Sequence, residues 1–392
     1  MKHYQYLIVG GGMTADAAID GIREVDPEGR IALICAEKVP PYDRPPLTKD
    51  LWKGGEVEQI WRHTNDKAVD IYLSHRIKQI DPDKKTAMDD HGQEYEYEKL
   101  LLATGGTPRE LPFGNDNVLY YRSYADYEKL RHLVEVEGDR FAVIGGGFIG
   151  SELAAALTLN GQQVTMVFTG AAICGRLFPP GLAQHVTNHY EDKGVRVLSG
   201  QTVNGITEQD GALQVSTGKG AQFEVDHVVA GIGIQPNTEL AEAIGLAVED
   251  GIRVAEDLQT DEADIYAAGD VAAFPSHIGY GRRRVEHEDN ALTMGRVAGR
   301  NMAGKPEPYT HIPMFYSDLF DLGYEAVGQI DSELDMVEDW QADDYAKGVV
   351  YYLDGGQVKG VLLWNVWDKV DEARALLRDL HPKTEKDLIG RL

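Results

Sequence analysis

Cysteine, long apolar runs and positive charge are scarce in this sequence, and each scarcity excludes a class of protein. The two cysteines, Cys35 and Cys174, belong to no Cys-x-x-Cys pair or metal-type cluster, so we predict buried thiols and no metal site. No apolar run reaches the roughly 18 residues of a membrane span. Lysine and arginine total 38 against 64 aspartates and glutamates, a net charge of −26. Because such a surface repels phosphate backbones, we expect no nucleic-acid partner.

Small and apolar residues are plentiful. A hydrophobic fraction of 43% and 43 glycines indicate a well-packed globular protein, because enough apolar surface is available to offset chain entropy. The 392 residues exceed the ~100 to 150 of a common domain, which predicts two or three domains. The first predicted strand starts at Tyr4 and leaves no room for a signal or transit peptide, so we expect a cytoplasmic protein.

Two stretches, 4–37 and 140–168, share one pattern: an apolar strand, a glycine turn, a helix with a small-residue face and a second β-branched strand. This pattern is typical of the first βαβ unit of a dinucleotide-binding fold. In the first stretch Gly10, Gly12 and Ala15 occupy the G-x-G-x-x-G/A positions, where small residues let the backbone approach a pyrophosphate at a helix N-terminus. The repeat predicts two dinucleotide sites in one chain.

The two stretches differ at the end of the second strand. Glu37 lies 37 − 10 = 27 positions beyond Gly10, near the usual place of an acid that binds ribose hydroxyls. In the second stretch Gly145, Gly147 and Gly150 complete the fingerprint, but no carboxylate ends the strand. The sequence there reads Thr169, Gly170, and Arg176 nearby suits either nucleotide. NADH is therefore only slightly favoured over NADPH.

The rest of the chain alternates between short strand-like pieces and helices. Strand patterns at 71–103 extend the first unit, and those at 195–234 extend the second. The apolar strand at 264–274 should return to the first domain, followed by a helix at 286–303. From His311 onward aromatic-rich strands and one helix predict a third, α+β domain.

Several motifs together resemble the apoptosis-inducing factor family, in its bacterial type, within the pyridine nucleotide-disulfide reductase superfamily. They are PPYDRPPLTKDLW, LLATGGTPR, VIGGGFIGSELA, GRRRVEHEDNALTMGRVAGRNMAG, MFYSDLFDLGYEAVGQI, KGVVYYL and VLLWN. The resemblance implies an α/β fold with two Rossmann-like dinucleotide-binding domains, one for FAD and one for NAD, plus a C-terminal α+β domain. The implied boundaries are 1–121 with 251–310 for the FAD domain, 122–250 for the NAD(P)H domain and 311–392 for the C-terminal domain.

The resemblance also implies roles in the stretch VPPYDRPPLTKDL, residues 39–51. Disulfide reductases carry redox-active cysteines in this region, whereas this chain has prolines, Arg44 and Lys49, so no disulfide relay is expected. Lys49 would lie at the reactive edge of the flavin and pair with Glu152, because a cation there stabilises the anionic reduced flavin. Phe148 would shield the flavin, and His287 would influence flavin charge.

The implied catalytic residues are therefore Lys49, Glu152, Phe148 and His287. The implied cofactor-binding set adds residues near the two glycine turns, in the Ala-Thr-Gly-Gly and Gly-Asp turns and in the C-terminal domain. This set comprises Gly10, Gly12, Met13, Thr14, Ala15, Glu37, Arg44, Lys49, Ile77, Thr104, Gly105, Arg122, Gly145, Gly147, Phe148, Ile149, Gly150, Arg176, Gly233, Asp270, Glu286, His287, Tyr316, Glu325 and Asn365.

The implied function is an FAD-dependent NAD(P)H oxidoreductase that keeps reduced flavin and NAD⁺ as a long-lived charge-transfer complex and acts as a slow oxidase or redox sensor. One alternative is an NADH-dependent ferredoxin or rubredoxin reductase, since PYDRPPLTK also resembles those enzymes. The charge of −26 argues against it, because small ferredoxins are acidic, unless a basic patch around 282–284 prevails. A second alternative is an interaction protein that forms a homodimer on reduction. The electron acceptor stays open.

Overall fold

The computed structural model describes residues 2–136, 138–279, 281–342 and 344–392. The chain forms two compact units. The first comprises 1–44, 56–107 and 235–313, and the second comprises 45–55, 108–234 and 314–392. The mixed α/β class is confirmed, whereas the three domain boundaries stay a prediction.

The first unit is built on a twisted sheet whose strands run in the order Asp70–Leu73, Ile31–Cys35, Lys2–Val9, Glu94–Leu102, Thr86–Asp89 and Ile77–Asp81, with Ile265–Ala267 also paired to Glu94–Leu102. The central strands pair in parallel, for example Ile8 with Leu33 and Leu101. The paired stretches 7–9, 31–35 and 100–102 are continuously apolar because both faces of a parallel sheet are covered. The strand predicted to return to this domain does so at Ile265–Ala267.

Two helices of the first unit, Met13–Arg23 and Glu288–Met302, pack closely through small residues. A Cβ on Gly21 would lie 2.1 Å from the carbonyl oxygen of Arg296, and one on Gly299 would lie 2.1 Å from that of Ala18. Only glycine permits backbones to come this close. The predicted helix at 286–303 is confirmed, beginning at Glu288.

Shorter elements complete the first unit. They are the helix Glu239–Ala243, the strands Val248–Glu249, Gly251–Arg253, Ala272–Pro275 and Arg282–Arg283, and the 3₁₀ turns Val57–Ile60, Thr64–Asp66 and Gly269–Val271. Two short strands, Gly106–Pro108 and Ile234–Pro236, lie where the chain passes between the units.

The second unit contains a parallel sheet in the order Arg196–Leu198, Gln163–Val167, Arg140–Ile144, His227–Ala230 and Val118–Tyr120. Its helices are Tyr124–Val136, Phe148–Leu159 and Pro180–Asp192. An antiparallel sheet of Val203–Gln209, Ala212–Thr217 and Gln222–Val225 follows. The 3₁₀ turns are Pro45–Thr48, Asp50–Trp52 and Asn115–Asn117. The parallel sheet repeats the βαβ start of the first unit, as predicted.

The C-terminal part of the second unit is an antiparallel sheet with two helices, the predicted α+β arrangement. The strand order is Met314–Leu319, Leu322–Gly328, Gln357–Trp364, Gly348–Asp354 and Asp335–Trp340, and the helices are Val370–Arg378 and Glu385–Leu388. Strands Gly348–Asp354 and Gln357–Trp364 are buried nearly throughout.

Candidate functional site

The first glycine turn leaves room for a phosphate group. Gly10 has φ +127°, and a Cβ there would lie 2.0 Å from the carbonyl oxygen of Ala103, so no other residue fits. Gly12 caps the helix Met13–Arg23, and among the described residues no heavy atom lies within 4 Å of the position its Cβ would take. The open space faces a helix N-terminus, which attracts anions. This turn therefore fits the pyrophosphate of a dinucleotide.

Glu37 follows the second strand, where a ribose-binding acid is expected. Its carboxylate accepts hydrogen bonds from the Tyr42 hydroxyl and from the Arg44 guanidinium, each at 2.7 Å. Burial disfavours the charged guanidinium, but Tyr42, Glu37 and Asp270 nevertheless raise the pKa of Arg44 above its ordinary value. The acid is thus held in place by the proline-rich segment, and its oxygens have lone pairs left for ribose hydroxyls.

Two further turns of the first unit carry predicted FAD ligands. The Thr104 hydroxyl donates to the carbonyl oxygen of Asn237 at 2.8 Å, and the Asn237 amide donates back to Thr104 at 2.9 Å. Asp270 lies in the turn Gly269–Val271 and is half-buried. The guanidinium of Arg284 donates to the Asp270 carbonyl at 3.1 Å. These bonds fix the two turns independently of any ligand.

His287 caps the helix Glu288–Met302. Burial lowers its pKa to about 4, although Asp270 acts in the opposite direction. The imidazole is therefore neutral at pH 7, as suits a ring beside a helix N-terminus. Glu286 is exposed and forms an ion pair with Arg284, so the side chains of Glu286 and His287 lie in different surroundings.

Other predicted residues of the first unit are buried in its interior. Met13, Thr14 and Ala15 form the first turn of the helix and are at most 8% exposed. The Ile77 side chain belongs to the apolar core. Gly105, just after Thr104, adopts φ +63°. The part that these residues take in binding FAD stays a prediction.

The second glycine turn repeats the geometry of the first. Gly145 has φ +120°, and a Cβ there would lie 2.2 Å from the carbonyl oxygen of Gly231. A Cβ on Gly150 would lie 2.1 Å from the Gly145 carbonyl, whereas one on Gly147 meets no described heavy atom within 4 Å. Ile149 packs beside Gly231. The second turn therefore fits a pyrophosphate in the same way.

The end of the second strand differs from its counterpart in the first unit. Strand Gln163–Val167 runs into Phe168, which is buried beneath Gly146, and then into exposed Thr169. Arg176 is exposed. The sequence therefore has no acidic residue at the end of this strand that would disfavour the 2′-phosphate of NADPH.

The most buried charged pair of the second unit joins the proline-rich segment to the helix Phe148–Leu159. Lys49 Nζ lies 2.7 Å from Glu152 Oε1, with exposures of 8% and 4%, so the predicted ion pair is present. Two hydroxyls complete the cluster: Thr48 donates to Glu152 Oε2 at 2.5 Å, and Ser317 donates to Oε1 at 2.6 Å. Glu152 is thus a buried carboxylate with three polar partners, Lys49, Thr48 and Ser317.

The local fold of the proline-rich segment explains how Lys49 reaches Glu152. Pro45–Thr48 and Asp50–Trp52 form two 3₁₀ turns around Lys49. The carbonyl oxygen of Leu47 accepts hydrogen bonds from the Trp52 indole at 2.7 Å and from the Tyr121 hydroxyl. Because proline fixes φ, the segment loses little entropy on folding. The prolines therefore hold the Lys49 ammonium in one position.

Aromatic side chains surround this cluster. Phe148, at the start of its helix, meets Phe315 edge-on with ring centroids 5.2 Å apart. Lys49 Nζ lies 5.2 Å from the Tyr316 ring centroid, and Tyr316 is 39% exposed. Tyr316 therefore forms the accessible side of an aromatic wall next to the ammonium group.

The remaining predicted residues of the second unit have local roles. The amide of Asn365 accepts from the Gly323 backbone N–H at 3.0 Å and donates to the Ala346 carbonyl at 2.9 Å. This side chain therefore joins two backbone segments. Burial, reinforced by Asp368, raises the pKa of Glu325.

Arg122 and Gly233 lie in backbone turns of the second unit. The Arg122 backbone N–H donates to Asp126 at 3.1 Å, and the Gly233 carbonyl accepts from the Arg109 backbone N–H at 2.9 Å. Gly233 has φ +95°. Both positions shape turns, and their contribution to nucleotide binding stays a prediction.

The sequence analysis missed Thr48, Ser317 and Phe315. Ser317 carried a signal: in strand Met314–Leu319 it shares the buried face with Phe315 and Leu319, and a hydroxyl on an apolar face needs a buried partner. For Thr48 the sequence offers no signal other than its position next to Lys49.

Both cysteines are free and buried in the part of the chain that the structure describes. Burial raises the pKa of Cys35 to about 11 and that of Cys174 to about 12, so both are thiols at neutral pH, as predicted. Among the described residues no helix is long and apolar enough to cross a membrane.

Family models match nearly the whole chain. The model described as pyridine nucleotide-disulphide oxidoreductase matches residues 4–295. The model described as apoptosis-inducing factor, mitochondrion-associated, C-term matches residues 298–342 and 336–379. The match therefore extends through both units.

Known proteins similar to the chain include an apoptosis-inducing factor and ferredoxin-type reductases. Apoptosis-inducing factor 1, mitochondrial, of Dictyostelium discoideum is 36% identical over 99% of this chain and 80% of its own. The ferredoxin reductase subunit of the 5,5′-dehydrodivanillate O-demethylase of a Sphingobium species is 35% identical over 84% of this chain and 82% of its own. The crystal structure of a covalent putidaredoxin reductase–putidaredoxin complex has a TM-score of 0.90 at 29% identity, covering 97% of this chain and 94% of that chain.

Proposed function

Because the chain belongs to the pyridine nucleotide-disulphide oxidoreductase family and is an FAD-dependent NAD(P)H oxidoreductase, we propose that it is a slow oxidase or redox sensor. Reduced FAD and NAD⁺ would stay together as a long-lived charge-transfer complex. The observation that carries the proposal is the buried pair of Lys49 and Glu152, held by the hydroxyls of Thr48 and Ser317.

The two glycine turns would hold the two nucleotides. Gly10, Gly12 and Glu37 would bind FAD, and Gly145, Gly147 and Gly150 would bind NAD(P)H. The support is that both turns leave space at a helix N-terminus where a Cβ would meet no described atom. When bound, FAD accepts a hydride at N5 from the nicotinamide ring.

Lys49 would stabilise the negative charge that the flavin gains on reduction. A cation acts strongly on such a charge in surroundings that exclude water. Lys49 is 8% exposed, and burial by itself disfavours an ammonium group. The neighbouring Glu152 carboxylate offsets that cost, and the hydroxyls of Thr48 and Ser317 hold this carboxylate in position. The four residues would thus act as one positioned cation.

Phe148 would cover the flavin and yield to the nicotinamide. Its ring meets Phe315 edge-on, with the two centroids 5.2 Å apart, and it is the first residue of its helix, directly after Gly147 of the second glycine turn. Tyr316 would line the same region. The neutral His287 and the exposed Glu286 would bind the flavin through polar contacts.

An anaerobic titration tests the proposal. The FAD-loaded protein is reduced with NADH and, separately, with NADPH, and the visible spectrum is followed before air is admitted. We expect bleaching, a broad long-wavelength band and slow recovery in air. Bleaching without that band, or recovery in air as fast as for free reduced flavin, would contradict the proposal. The better reductant settles the nucleotide preference.

A second candidate is a ferredoxin-type reductase. It is supported by the similarity to the ferredoxin reductase subunit of Sphingobium and to the reductase of the putidaredoxin complex. The net charge of −26 opposes docking of an acidic carrier, since like charges slow association. Rapid, saturable reoxidation by added ferredoxin in the same titration would favour this candidate over the sensor.

A further inference from the structure

A cluster of two imidazoles and one carboxylate lies at the edge of the first unit. His75 precedes the strand Ile77–Asp81, Asp89 ends the strand Thr86–Asp89, and His91 lies in the turn that follows Asp89. One ligand-type atom of each residue lies within 4.8 Å of the others. None of the three belongs to the residues assigned above to FAD or NAD(P)H, so the cluster calls for its own explanation.

Asp89 is held in a single orientation. Its side chain is fully buried, and Oδ2 accepts a hydrogen bond from the Tyr95 hydroxyl at 2.8 Å. Oδ1 accepts the backbone N–H groups of His91 at 2.9 Å and Gln93 at 2.8 Å. These hydrogen bonds hold the buried carboxylate in one position.

The two imidazoles converge on this carboxylate. His75 Nδ1 lies 2.5 Å from Asp89 Oδ2, and the His75 and His91 rings have centroids 4.3 Å apart at an angle of 37°. His91 Nδ1 lies 3.1 Å from Asp90 Oδ1. The side-chain exposures are 26% for His75 and 57% for His91. An ion from solvent can therefore reach both imidazole rings, whereas the Asp89 carboxylate is buried beneath them.

We propose that His75, Asp89 and His91 bind one divalent transition-metal ion of the zinc type. Two imidazole nitrogens and one carboxylate oxygen are a donor set that zinc prefers, with water completing a tetrahedron. The ion would replace the hydrogen bond between His75 and Asp89, and the neutral His75 ring would carry its proton on Nε2. Tyr95 would orient the carboxylate from behind. The oxygen-seeking ions Mg²⁺ and Ca²⁺ would not compete at this site.

Isothermal titration of the chelator-treated, FAD-loaded protein with ZnCl₂ tests the proposal. We expect one saturable site per chain, at least tenfold weaker binding in His75→Gln and in His91→Gln, and no heat with MgCl₂. His381→Gln is the matched control, because His381 pairs with a single carboxylate, that of Asp379 at 2.7 Å, and has no second imidazole in the cluster.

Tyr95→Phe is the variant that separates a built site from chance binding by two exposed histidines. It keeps all three ligands and removes only the hydroxyl behind Asp89, so zinc affinity should fall roughly 10- to 100-fold. An unchanged visible flavin spectrum shows that each variant is folded. Absence of a saturable site in the wild type, or equal affinity in the wild type, His75→Gln and His91→Gln, would overturn the proposal.

Discussion

Each of the two glycine-turn helices carries a buried carboxylate one to two turns from its start, but the partners differ. On Met13–Arg23 the fully buried Asp16 accepts from Arg62 at 2.7 Å, Lys67 at 2.8 Å and Thr64 at 2.6 Å. On Phe148–Leu159, Glu152 has one cation, Lys49, and two hydroxyls. Asp16 lies 16 − 13 = 3 residues and Glu152 lies 152 − 148 = 4 residues beyond the helix start, so two neighbouring but not equivalent positions carry two different polar clusters.

The cations of the two clusters differ in their exposure to solvent and in the number of their acidic partners. Arg62 also pairs with Asp43, and Lys67 with Asp20, and their side chains are 18% and 21% exposed. Lys49 is 8% exposed and depends on Glu152. The Asp16 cluster therefore fastens the segment around Arg62 to its helix, whereas the Glu152 cluster maintains a buried ammonium group. Only the second arrangement suits charge stabilisation in a reaction.

The largest expected effect is on stability. Glu152→Gln leaves the buried Lys49 without a counter-ion and should cost about 3 to 5 kcal/mol. Asp16→Asn should cost less, about 1 to 3 kcal/mol, because Arg62 and Lys67 keep other acidic partners. Urea denaturation of both FAD-loaded variants, followed by circular dichroism, measures the difference. An equal cost would mean that the two clusters have the same structural role.

Lys49→Met should slow flavin reduction by NADH about 100-fold, because a preorganised charge aimed at a developing negative charge has an effect of that size. Stopped-flow absorbance at the flavin band gives the rate. Lys53→Met is the control, since Lys53 lies on the same segment, is 41% exposed and pairs with Asp318 at 3.2 Å. If both variants lose rate equally, Lys49 has no special part in the reaction.

The hydroxyls that hold Glu152 should have a smaller effect. Thr48→Val and Ser317→Ala each remove one hydrogen bond to a charged group, worth about 1.5 kcal/mol, or roughly tenfold in reduction rate. Thr48→Ser keeps the hydroxyl and should restore the rate. The flavin midpoint potential should become more negative in Thr48→Val. A merely structural threonine would leave that potential unchanged.

The smallest effect concerns nucleotide choice. Thr169 follows its strand by two residues, as Glu37 follows Cys35, and it is exposed. Thr169→Glu should weaken NADPH relative to NADH by about fivefold, since two exposed charges about 4 Å apart repel by ~1 kcal/mol. Thr169→Gln matches the size without the charge. The ratio of kcat/KM values for the two nucleotides measures the change, and an equal shift in both variants would rule out a charge effect.

Much of the fold was predictable because local patterns encode it. The strand, glycine turn and helix at 4–37 and 140–168, the returning strand near 264–274 and the aromatic-rich C-terminal sheet all follow from hydrophobic periodicity and glycine placement. One strand of the C-terminal sheet, Asp335–Trp340, is not indicated by the sequence patterns. That strand lies at a sheet edge and is half-exposed, so its alternation is weak.

The sequence predicted those residues of the candidate site that belong to a recognisable family motif, and no others. Lys49 and Glu152 came from the family resemblance, and the structure places them in contact. Ser317 escaped notice because it lies 317 − 152 = 165 positions from Glu152, and no local pattern links residues so far apart. His75, Asp89 and His91 escaped notice because their proximity depends on the register in which the strands Ile77–Asp81 and Thr86–Asp89 pair.

The sequence by itself determined the two glycine turns, because positions 10 and 145 adopt φ +127° and +120°, a backbone conformation that favours glycine. It also determined the absence of a disulfide relay in 39–51, since no cysteine is present there. Only the tertiary structure decided which buried carboxylate receives which cation. Ion pairs form between side chains brought together by packing, and burial, a property of the folded chain, sets how strongly each pair acts.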